Sequence, residues 1–540
     1  MRRRRRAAAV VAAAAAVALL APGVARATAA RDAAGARAGI AHALKRHWLK
    51  PADAARYRAA VGIALRDIPR LPPLRGRILA AQLRQMTTLR DSYTSPRALA
   101  LFSQLTMNVA YLATHRIPEA KTDVVGPDGV VYRWFDGQGL EFHPLAEFAA
   151  LNDLAARGDA EGAQSLAAAL VARAIPRGRG LVWEYAFPYG SGRPPWTSGM
   201  AQATAAQALA RAGARLADPS LTSAAARAFQ AVRDSLLLRL AQGPWIRLYS
   251  FDHEIVLNAQ LQTIVSLGEY ARATGDPNAA ALAAQLAGTT RALLPSFDTG
   301  DWSLYELHGF RAPRDYQQLV TNLTAKIATQ TADPFWIATA ARFHEYFYLP
   351  ASVIEGTPPP TAYPQPADGW LDTVRIPITL SHRASLTLAI AGQVRTYRFA
   401  AGAHVLAWTP PPTLPPGSYP VQVSTLDYAG HRGTYVLAPV VVAWDTAPAQ
   451  LAAAFDGTTV TWSWTDPGTP WLDLGLELTD PAGAAQPQTV ELGRQPNAGS
   501  PTTGGAPVTL PAGTWQLALT GTSSAGQTAT VDLGAVTVPG

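Results

Sequence analysis

Cysteine is absent from all 540 residues of the chain. Its absence excludes a disulfide framework, thiolate catalysis and metal or iron–sulfur sites ligated by cysteine. The ten histidines are scattered, with no close ligand spacing, and no glycine-rich phosphate-binding loop occurs. We therefore expect neither a metal ion nor a cofactor, and any catalysis has to rest on other side chains.

Long apolar runs are also missing beyond the N-terminus. The basic run Arg2–Arg6 is followed by an apolar stretch at 7–20 and by a small-residue cleavage signal that ends at Ala27. This layout predicts a secretory signal peptide over 1–27, with an uncleaved N-terminal anchor as the alternative. We expect a secreted or cell-envelope protein without a stable membrane span after cleavage.

The formal net charge of +8 would by itself favour a nucleic-acid or membrane partner. Cleavage after Ala27 would remove six arginines and no acids, leaving 40 basic and 38 acidic residues, a balance of about +2. The nucleic-acid interpretation thereby loses its main support, and we expect no nucleic-acid partner.

The chain changes character near residue 360. Residues 36–350 have apolar positions at helical spacing, whereas alternating, strand-like segments follow from about 368. Five prolines within 356–368 predict a semi-rigid linker. The expected domains are a helical domain at 28–355, this linker, and two β-sandwiches at 369–445 and 446–540.

The helical half has an internal period. Four aspartates, each at a predicted helix start, are separated by 59, 58 and 57 residues, and proline follows the last three. Aspartate is a good N-cap and proline fits the first helical position, so the period predicts stacked two-helix units. Units of this kind form an (α/α) toroid when closed, or an open superhelix. The aspartates are Asp159, Asp218, Asp276 and Asp333.

The connections halfway between these aspartates differ from the aspartate turns. They cover 132–143, 183–196, 245–253 and 302–316, and each is rich in aromatic and charged residues. If the aspartate turns share one rim, these connections share the other, where binding and catalytic groups concentrate. Aromatic faces suit sugar rings, although packed barrel aromatics are the alternative interpretation.

Tyrosine is the unusual residue of these connections. A tyrosine acts as a general acid or base when nearby cations bring its pKa towards the working pH, and Arg247, Arg311 and Arg314 lie close in sequence. A carboxylate pair for glycoside hydrolysis also stays open, from Glu141, Glu184, Glu254 and Glu306. The tyrosines are Tyr185, Tyr189, Tyr249, Tyr305 and Tyr316.

Four stretches of the helical half carry recognisable motifs. They are Trp196-Thr197-Ser198-Gly199-Met200-Ala201-Gln202, Val256-Leu257-Asn258 with Tyr270, Asp298-Thr299-Gly300 with Leu304-Tyr305-Glu306-Leu307-His308, and Asp315-Tyr316 with Asn322. In this order they resemble the D-glucuronyl C5-epimerase C-terminal domain family. The first resembles its "Trp-x-Ser-x-Met-Ala-Gln-Gly" signature, and the others resemble its later helix and loop motifs. The match covers about 132–347.

The resemblance implies an (α/α) toroid that inverts C5 of glucuronate within a polysaccharide to give iduronate, by proton abstraction beside the carboxylate. It implies catalytic roles for Tyr305, Tyr316 and Tyr249. The substrate-binding residues that we expect with them are Trp196, Arg247, Asn258, His308, Arg311, Arg314 and Tyr185.

The closing glycine of the signature is Ala203 here, and three further positions depart from the family pattern. Leu248 replaces a glutamate, His308 replaces an arginine and Val320 replaces a histidine. We expect a substitute for the glutamate among the neighbouring Asp252, His253 and Glu254, and a substitute for the arginine in Arg311 or Arg314. These departures keep two alternatives open, a polysaccharide lyase on the same scaffold and a non-catalytic polysaccharide-binding protein.

The strand-rich half resembles two bacterial immunoglobulin- or fibronectin-like modules. The motifs at 414–419 and 427–430 recur about 96 residues later at 510–515 and 523–526. These modules are expected to act as spacers or as carbohydrate-binding modules. From Gly369 onward six basic residues face ten acidic ones, so the mature helical half carries about +6. That charge suits an acidic, uronate-containing polysaccharide as the partner, and a homodimer stays open.

Overall fold

The computed structural model describes residues 22–499 and 501–539. The basic run and apolar stretch of the predicted signal peptide lie outside these residues. The chain divides into two compact units, 1–347 and 348–540. None of the described helices is both long and apolar enough to cross a membrane.

The first unit is helical, as predicted. In chain order its described helices are α1 Pro22–Lys45, α2 Pro51–Asp67, α3 Pro73–Thr88, α4 Ser95–Thr114, α5 Pro144–Arg157, α6 Ala160–Ala172, α7 Gly199–Leu216, α8 Pro219–Ser235, α9 Leu257–Thr274, α10 Pro277–Phe297, α11 Arg314–Thr331 and α12 Pro334–Tyr348, the last of which ends one residue into the second unit.

Alternate helices form an inner row. Helix α7 packs against α5 and α9, α9 packs against α11, and α6, α8 and α10 pack back on the inner helices that precede them. Helix α7 is the most enclosed member, with nearly every residue of its first four turns buried. The closure of this row into a toroid stays a prediction.

The aspartate turns have the predicted structure. Each inner helix ends in a left-handed residue, Gly158, Ala217, Gly275 or Ala332, and the next residue is the aspartate. The aspartate carboxylate then accepts a backbone N–H of the following helix, at 2.8–2.9 Å. These bonds satisfy donors that the first helical turn leaves free, so each turn reverses the chain without outside support.

The opposite connections run from an outer helix to the next inner helix and contain short strands. Before α5 these are β1 Asp123–Val125, β2 Val131–Phe135 and β3 Gly139–Phe142, which form one antiparallel sheet. Hairpin β4 Ile175–Arg177 and β5 Gly180–Val182 precedes α7, and hairpin β6 Leu237–Leu240 and β7 Gly243–Ile246 precedes α9. The connection before α11, 298–313, has only isolated bridges. We call these four stretches, 121–143, 175–198, 237–256 and 298–313, the connecting segments.

The second unit consists of antiparallel sheets. Its described strands are β8 Val353–Glu355, β9 Val374–Leu380, β10 Ala384–Ile390, β11 Gln393–Phe399, β12 Gly402–Trp408, β13 Gly417–Leu426, β14 Arg432–Val442, β15 Gln450–Phe455, β16 Thr459–Thr465, β17 Trp471–Thr479, β18 Gln488–Pro496, β19 Thr502–Pro507, β20 Gly513–Ser523 and β21 Thr528–Val538. One group of sheets has the strand orders β11-β10-β13-β14 and β12-β9-β8, and the other group has β15-β16-β19 and β18-β17-β20-β21.

Each group of sheets has a core of its own. Alternate residues of β10 are buried, and they join a core that includes Ile376 and Trp408. The second core combines Trp464 with alternate leucines of β17 and β20. Both cores follow the period of two that half-buried strands require, which is why the sequence signalled strands here.

The proline-rich segment 356–368 is packed against the first group of sheets. Ala362 is fully buried and forms a parallel bridge with Val442 of β14. Its N–H donates to the Val441 carbonyl, and its own carbonyl accepts from the Ala443 N–H, both at 2.9 Å. The segment predicted as a linker therefore contributes to a sheet edge, while the limits of the predicted domains stay predictions.

The aspartate caps lead to a stability prediction. Replacing Asp276 with alanine removes the acceptor for the Asn278 and Ala279 N–H groups. We expect the free energy of unfolding of the helical unit to fall by about 1 kcal/mol. Urea unfolding followed by circular dichroism at 222 nm measures the change. The control D276N keeps a side-chain oxygen at the cap and should lose less of the free energy of unfolding. An unchanged urea midpoint in D276A would contradict the capping role.

Candidate active site

The connecting segments and the starts of the inner helices enclose a pocket of about 360 Å³. This volume lies in the range of ligand-binding clefts. Residues of all four connecting segments line it, together with residues of α7, α9 and α11. The predicted functional side of the helical unit therefore does contain a cavity.

Five tyrosines line this pocket: Tyr185, Tyr189, Tyr249, Tyr305 and Tyr316. The hydroxyls of the last four influence one another's pKa in sequence, Tyr189 that of Tyr249, Tyr249 that of Tyr305, and Tyr305 that of Tyr316, and we call them the hydroxyl network. The rings of Tyr305 and Tyr316 meet edge to face with centroids 5.0 Å apart. The three tyrosines predicted to be catalytic thus belong to one hydroxyl network.

Burial dominates the ionisation of this network. It raises the pKa of Tyr249, of Tyr305 and of Tyr316 above the ordinary value of 10, and the charge of neighbouring tyrosines raises each further. In Tyr316 two influences oppose the rise, the charge of Arg133 and the hydroxyl of Tyr305. Tyr316 is therefore the member of the three whose ionised form is helped by a cation.

Arg133 is the pocket arginine, and sequence reasoning did not single it out. It lies on β2 directly opposite Asp123 of β1, and its Nε and Nη2 donate to the two carboxylate oxygens at 2.7 Å each. This bidentate pair uses two of the three guanidinium nitrogens and leaves Nη1 for another acceptor. A fixed, half-buried cation therefore lies at the pocket wall, close enough to influence Tyr316.

His143, at the N-cap of α5, is a second polar group that was not singled out. Its Nδ1 accepts the backbone N–H of Ala146 at 3.2 Å. Burial and then the charge of Arg133 lower the pKa of the imidazole to about 3, so the ring is neutral at pH 7. With Nδ1 as acceptor, the single ring proton belongs on Nε2, where it is a donor.

Trp196 and Tyr185 form an aromatic wall. Their rings stack with centroids 4.0 Å apart and an interplanar angle of 2°. Both are nearly fully buried, and Trp196 Nε1 donates to the Phe187 carbonyl at 2.7 Å. Tyr185 covers one face of the indole, so the wall is rigid, and the expected sugar stacking cannot use that face.

Two further residues of the resemblance lie in the pocket. Asn258, in the first turn of α9, is 4% exposed, and its buried Oδ1 has no hydrogen-bond partner among the residues that the structure describes. An amide held this way has hydrogen-bonding capacity available for a ligand. Leu248 also lines the pocket, so the departure from the family glutamate falls at the site itself.

Four predicted substrate-binding residues do not line the pocket. His308 is exposed in a turn with a φ of 60°, and Arg311 donates to the buried Asp301 at 2.7 Å. The guanidinium of Arg314 lies 4.7 Å from the ring centroid of Phe347, and Arg247 also lies outside the lining. We expected the arginines among these residues to flank the tyrosines, and the structure corrects this expectation, because the arginine that lines the pocket is Arg133. Closeness in sequence did not predict where these side chains lie.

The carboxylates also lie elsewhere. Glu141 is buried and accepts bonds from Gln82, Gln85 and Gln104, and burial raises its pKa to about 8 despite these three donors. Glu184 is paired with arginines outside the pocket. The expected substitutes Asp252, His253 and Glu254 do not line the pocket either. Asp315 is the carboxylate among the lining residues, so the alternative of a glycosidase carboxylate pair finds no support here.

Comparisons with known proteins bear on this site. Residues 177–345 match the family described as the D-glucuronyl C5-epimerase C-terminus. The resemblance that the sequence motifs carry is thereby confirmed for this segment, which contains all five pocket tyrosines. Arg133 and His143 lie before it. No curated protein sequence matches the chain.

Solved structures show only distant likeness. A sugar epimerase from a ruminal bacterium is 12% identical with a TM-score of 0.30; the alignment covers 38% of this chain and 59% of that protein. The endo-β-1,4-glucanase CMCax from Acetobacter xylinum is 16% identical with a TM-score of 0.30, covering 43% and 77%. The fibronectin(III)-like modules of Clostridium thermocellum CbhA are 10% identical with a TM-score of 0.17, covering 35% and 94%. Scores this low carry no functional argument.

The position of Arg133 leads to a prediction about Tyr316. In R133M a positive charge that favours the tyrosinate is lost, so the pKa of Tyr316 should rise further. Titration of ¹³C-tyrosine resonances by NMR, assigned with Tyr→Phe variants, measures it. Tyr305 is the internal control, because Arg133 is not among the causes of its shift. Equal movement of both resonances would contradict a direct effect of Arg133.

Proposed function

We propose that the protein is an exported polysaccharide C5-epimerase that converts glucuronate units to iduronate by tyrosine-assisted proton transfer. The observation that carries this proposal is the network of tyrosine hydroxyls beside a fixed arginine, in a chain whose segment 177–345 matches the epimerase family. The tyrosines of the pocket offer acid and base groups, and Arg133 is a fixed cation for the carboxylate, with Lys121 as a second basic residue of the lining.

The substrate carboxylate is assigned to Arg133. A carboxylate that accepts from Nη1 would face the pocket while Nε and Nη2 stay on Asp123. Removal of the C5 proton places negative charge on this carboxylate, and a preorganised cation stabilises that charge most where water is excluded. The Nε2–H of His143 and the amide of Asn258 are further groups of the pocket that can bind uronate oxygens.

The base is assigned to Tyr316 in its ionised form. Its phenolate oxygen takes the C5 proton, and the electron pair of the broken C–H bond moves into the carboxylate. A second hydroxyl of the network, Tyr249 or Tyr305, then donates its proton to C5 from the opposite face. One proton leaves C5 and one arrives, so the network returns to its starting charge by proton transfer among its hydroxyls.

A lyase is the second candidate, and Leu248 is the observation that favours it. An epimerase needs groups on both faces of C5, and the family glutamate at this position is an apolar side chain here. Elimination begins with the same proton abstraction and ends by expelling the 4-oxygen, which a single tyrosine can assist as base and then as acid. A polysaccharide-binding protein without catalysis remains the third outcome of the experiment below.

Incubation with glucuronate polymers in deuterated water tests the proposal. We expect deuterium at C5 and iduronate without chain cleavage. The rate should increase with pH from neutral into the alkaline range, because the base must lose a proton and its pKa is raised. In Y316F the rate should fall by at least about 100-fold, since phenylalanine accepts no proton.

Each outcome decides between the candidates. NMR and mass spectrometry separate C5 deuteration from unsaturated products, which would establish the lyase instead. Polymer binding that persists in Y316F, with neither product formed by the wild type, would overturn both enzymatic proposals for the polymers tested.

The assignment of the carboxylate to Arg133 makes a separate prediction. R133Q should weaken binding of a glucuronate oligosaccharide by about 10- to 100-fold, the cost of losing a hydrogen bond to a charged group. Isothermal titration calorimetry with Y316F as the background measures binding without turnover. R314Q is the comparison, because Arg314 packs over Phe347 and should bind normally. A stronger loss in R314Q than in R133Q would restore the sequence-based expectation.

A further inference from the structure

The inner helices share a buried side chain at one position. Four residues after each N-cap, α5 carries Glu147 and α7, α9 and α11 carry Gln202, Gln260 and Gln317. All four are 0% exposed. Long polar side chains are almost never fully buried without a specific partner, so the recurrence requires an explanation.

Each of these side chains accepts a backbone N–H from the connecting segment that precedes its helix. The donors are Val131 to Glu147 Oε2 at 3.0 Å, Trp183 to Gln202 Oε1 at 3.1 Å, Ile246 to Gln260 Oε1 at 2.8 Å and Ser303 to Gln317 Oε1 at 2.9 Å. The same bond therefore occurs once in every unit of the repeat.

The donors have a constant relation to the pocket. Two residues after them come Arg133, Tyr185, Leu248 and Tyr305, and all four line the pocket. In an extended segment residues i and i+2 point to the same face, so the bond fixes the backbone next to each lining side chain. We call Glu147, Gln202, Gln260 and Gln317 the helix acceptors.

Gln317 has the most direct connection to the proposed chemistry. It follows Tyr316 in α11, and its Oε1 accepts both the Ser303 N–H and the Ser303 Oγ–H, the latter at 2.6 Å. Ser303 stands two residues before Tyr305. One amide oxygen thus joins the helix that carries Tyr316 to the segment that carries Tyr305.

We infer that the helix acceptors are positioning residues for the pocket and that Gln317 sets the Tyr305 hydroxyl against the Tyr316 hydroxyl. The kinetic part of this inference rests on the proposed function, while its structural part does not. Loss of the acceptor leaves two buried donors of Ser303 without a partner, and the segment has to move to satisfy them. Displacement of a catalytic group by about 1 Å can cost on the order of 100-fold in rate.

The test uses Gln317→Met, which keeps an unbranched side chain but removes the acceptor. We expect kcat to fall by about 30-fold or more with KM within about threefold, because the affected pair acts in proton transfer. The matched variant Q202M breaks the equivalent bond at the aromatic wall, where Tyr185 and Trp196 lie, and should mainly raise KM. A purely structural role would change both parameters alike in both variants.

Gln317→Glu is the rescue variant. It keeps the acceptor oxygen, and the Nε2 that it replaces has no hydrogen-bond partner within 22–499 and 501–539. Helix α5, the first of the four inner helices compared, already has a glutamate, Glu147, at this position. We expect Q317E to recover kcat to within about threefold of the wild type, a result that no general loss of folding in Q317M could mimic.

Amide hydrogen exchange tests the bond without any substrate. In Q317M, exchange within 298–312 should accelerate, while exchange within 237–250, held by Gln260, should stay unchanged. Unchanged exchange in 298–312 would overturn the positioning role of Gln317, whatever the activity. If exchange accelerates in Q317M but the wild type shows no C5 chemistry, the positioning role of Gln317 stands and the proposed function is refuted.

Discussion

The need to satisfy buried backbone N–H groups governs the arrangement of this pocket. The connecting segments contain two or three short strands or isolated bridges, too few to pair all of their own polar groups. In each segment, one backbone N–H donates instead to a side-chain oxygen of the inner helix that follows. Because each of these helices is packed against another helix of the row, the bond transfers the rigidity of the helical row to the connecting segment.

The electrostatics of the pocket follow from the same burial. Desolvation raises the pKa of the tyrosines and lowers that of His143, so the resting pocket contains neutral tyrosines, a neutral imidazole and the fixed guanidinium of Arg133, together with Lys121 and Asp315. In such a half-buried site the guanidinium interacts more strongly with an incoming anion than it would in water. The ion pair with Asp123 holds Arg133 in place through Nε and Nη2 and leaves Nη1 to donate to a ligand. The cation is therefore ordered and can still bind an anion.

Much of this arrangement was predictable because its causes are local. An aspartate that caps the next residues needs no knowledge of the rest of the chain, so Asp159, Asp218, Asp276 and Asp333 marked the repeat correctly. The same holds for the pocket tyrosines, which fall in the connections that the period identified. The helix acceptors carried a readable signal too: Gln202, Gln260 and Gln317 each stand 16 residues before a capping aspartate.

The cations were not predictable in this way. Arg311 and Arg314 are neighbours of Tyr305 and Tyr316 in sequence, but the direction of a long side chain depends on which partners the fold places within its reach. A buried Asp301 and the ring of Phe347 are those partners. The sequence carried only a weak signal for Arg133, an aspartate ten residues earlier. The two residues pair because the register of β1 and β2 places them opposite each other, and that register is seen only in the fold.

The division of the pocket between two parts of the chain has a consequence for how such a protein can diversify. The tyrosines come from the family-matched segment, whereas Arg133 and His143 precede it in the chain. Two parts of the pocket lining are therefore encoded in separate stretches of the chain. Because Arg133 also favours the ionised form of Tyr316, exchange of residues 121–143 would change the recognition of an anionic ligand and the ionisation of Tyr316 together. Under the proposed function, one short stretch of the chain would therefore alter substrate choice and rate in a single step.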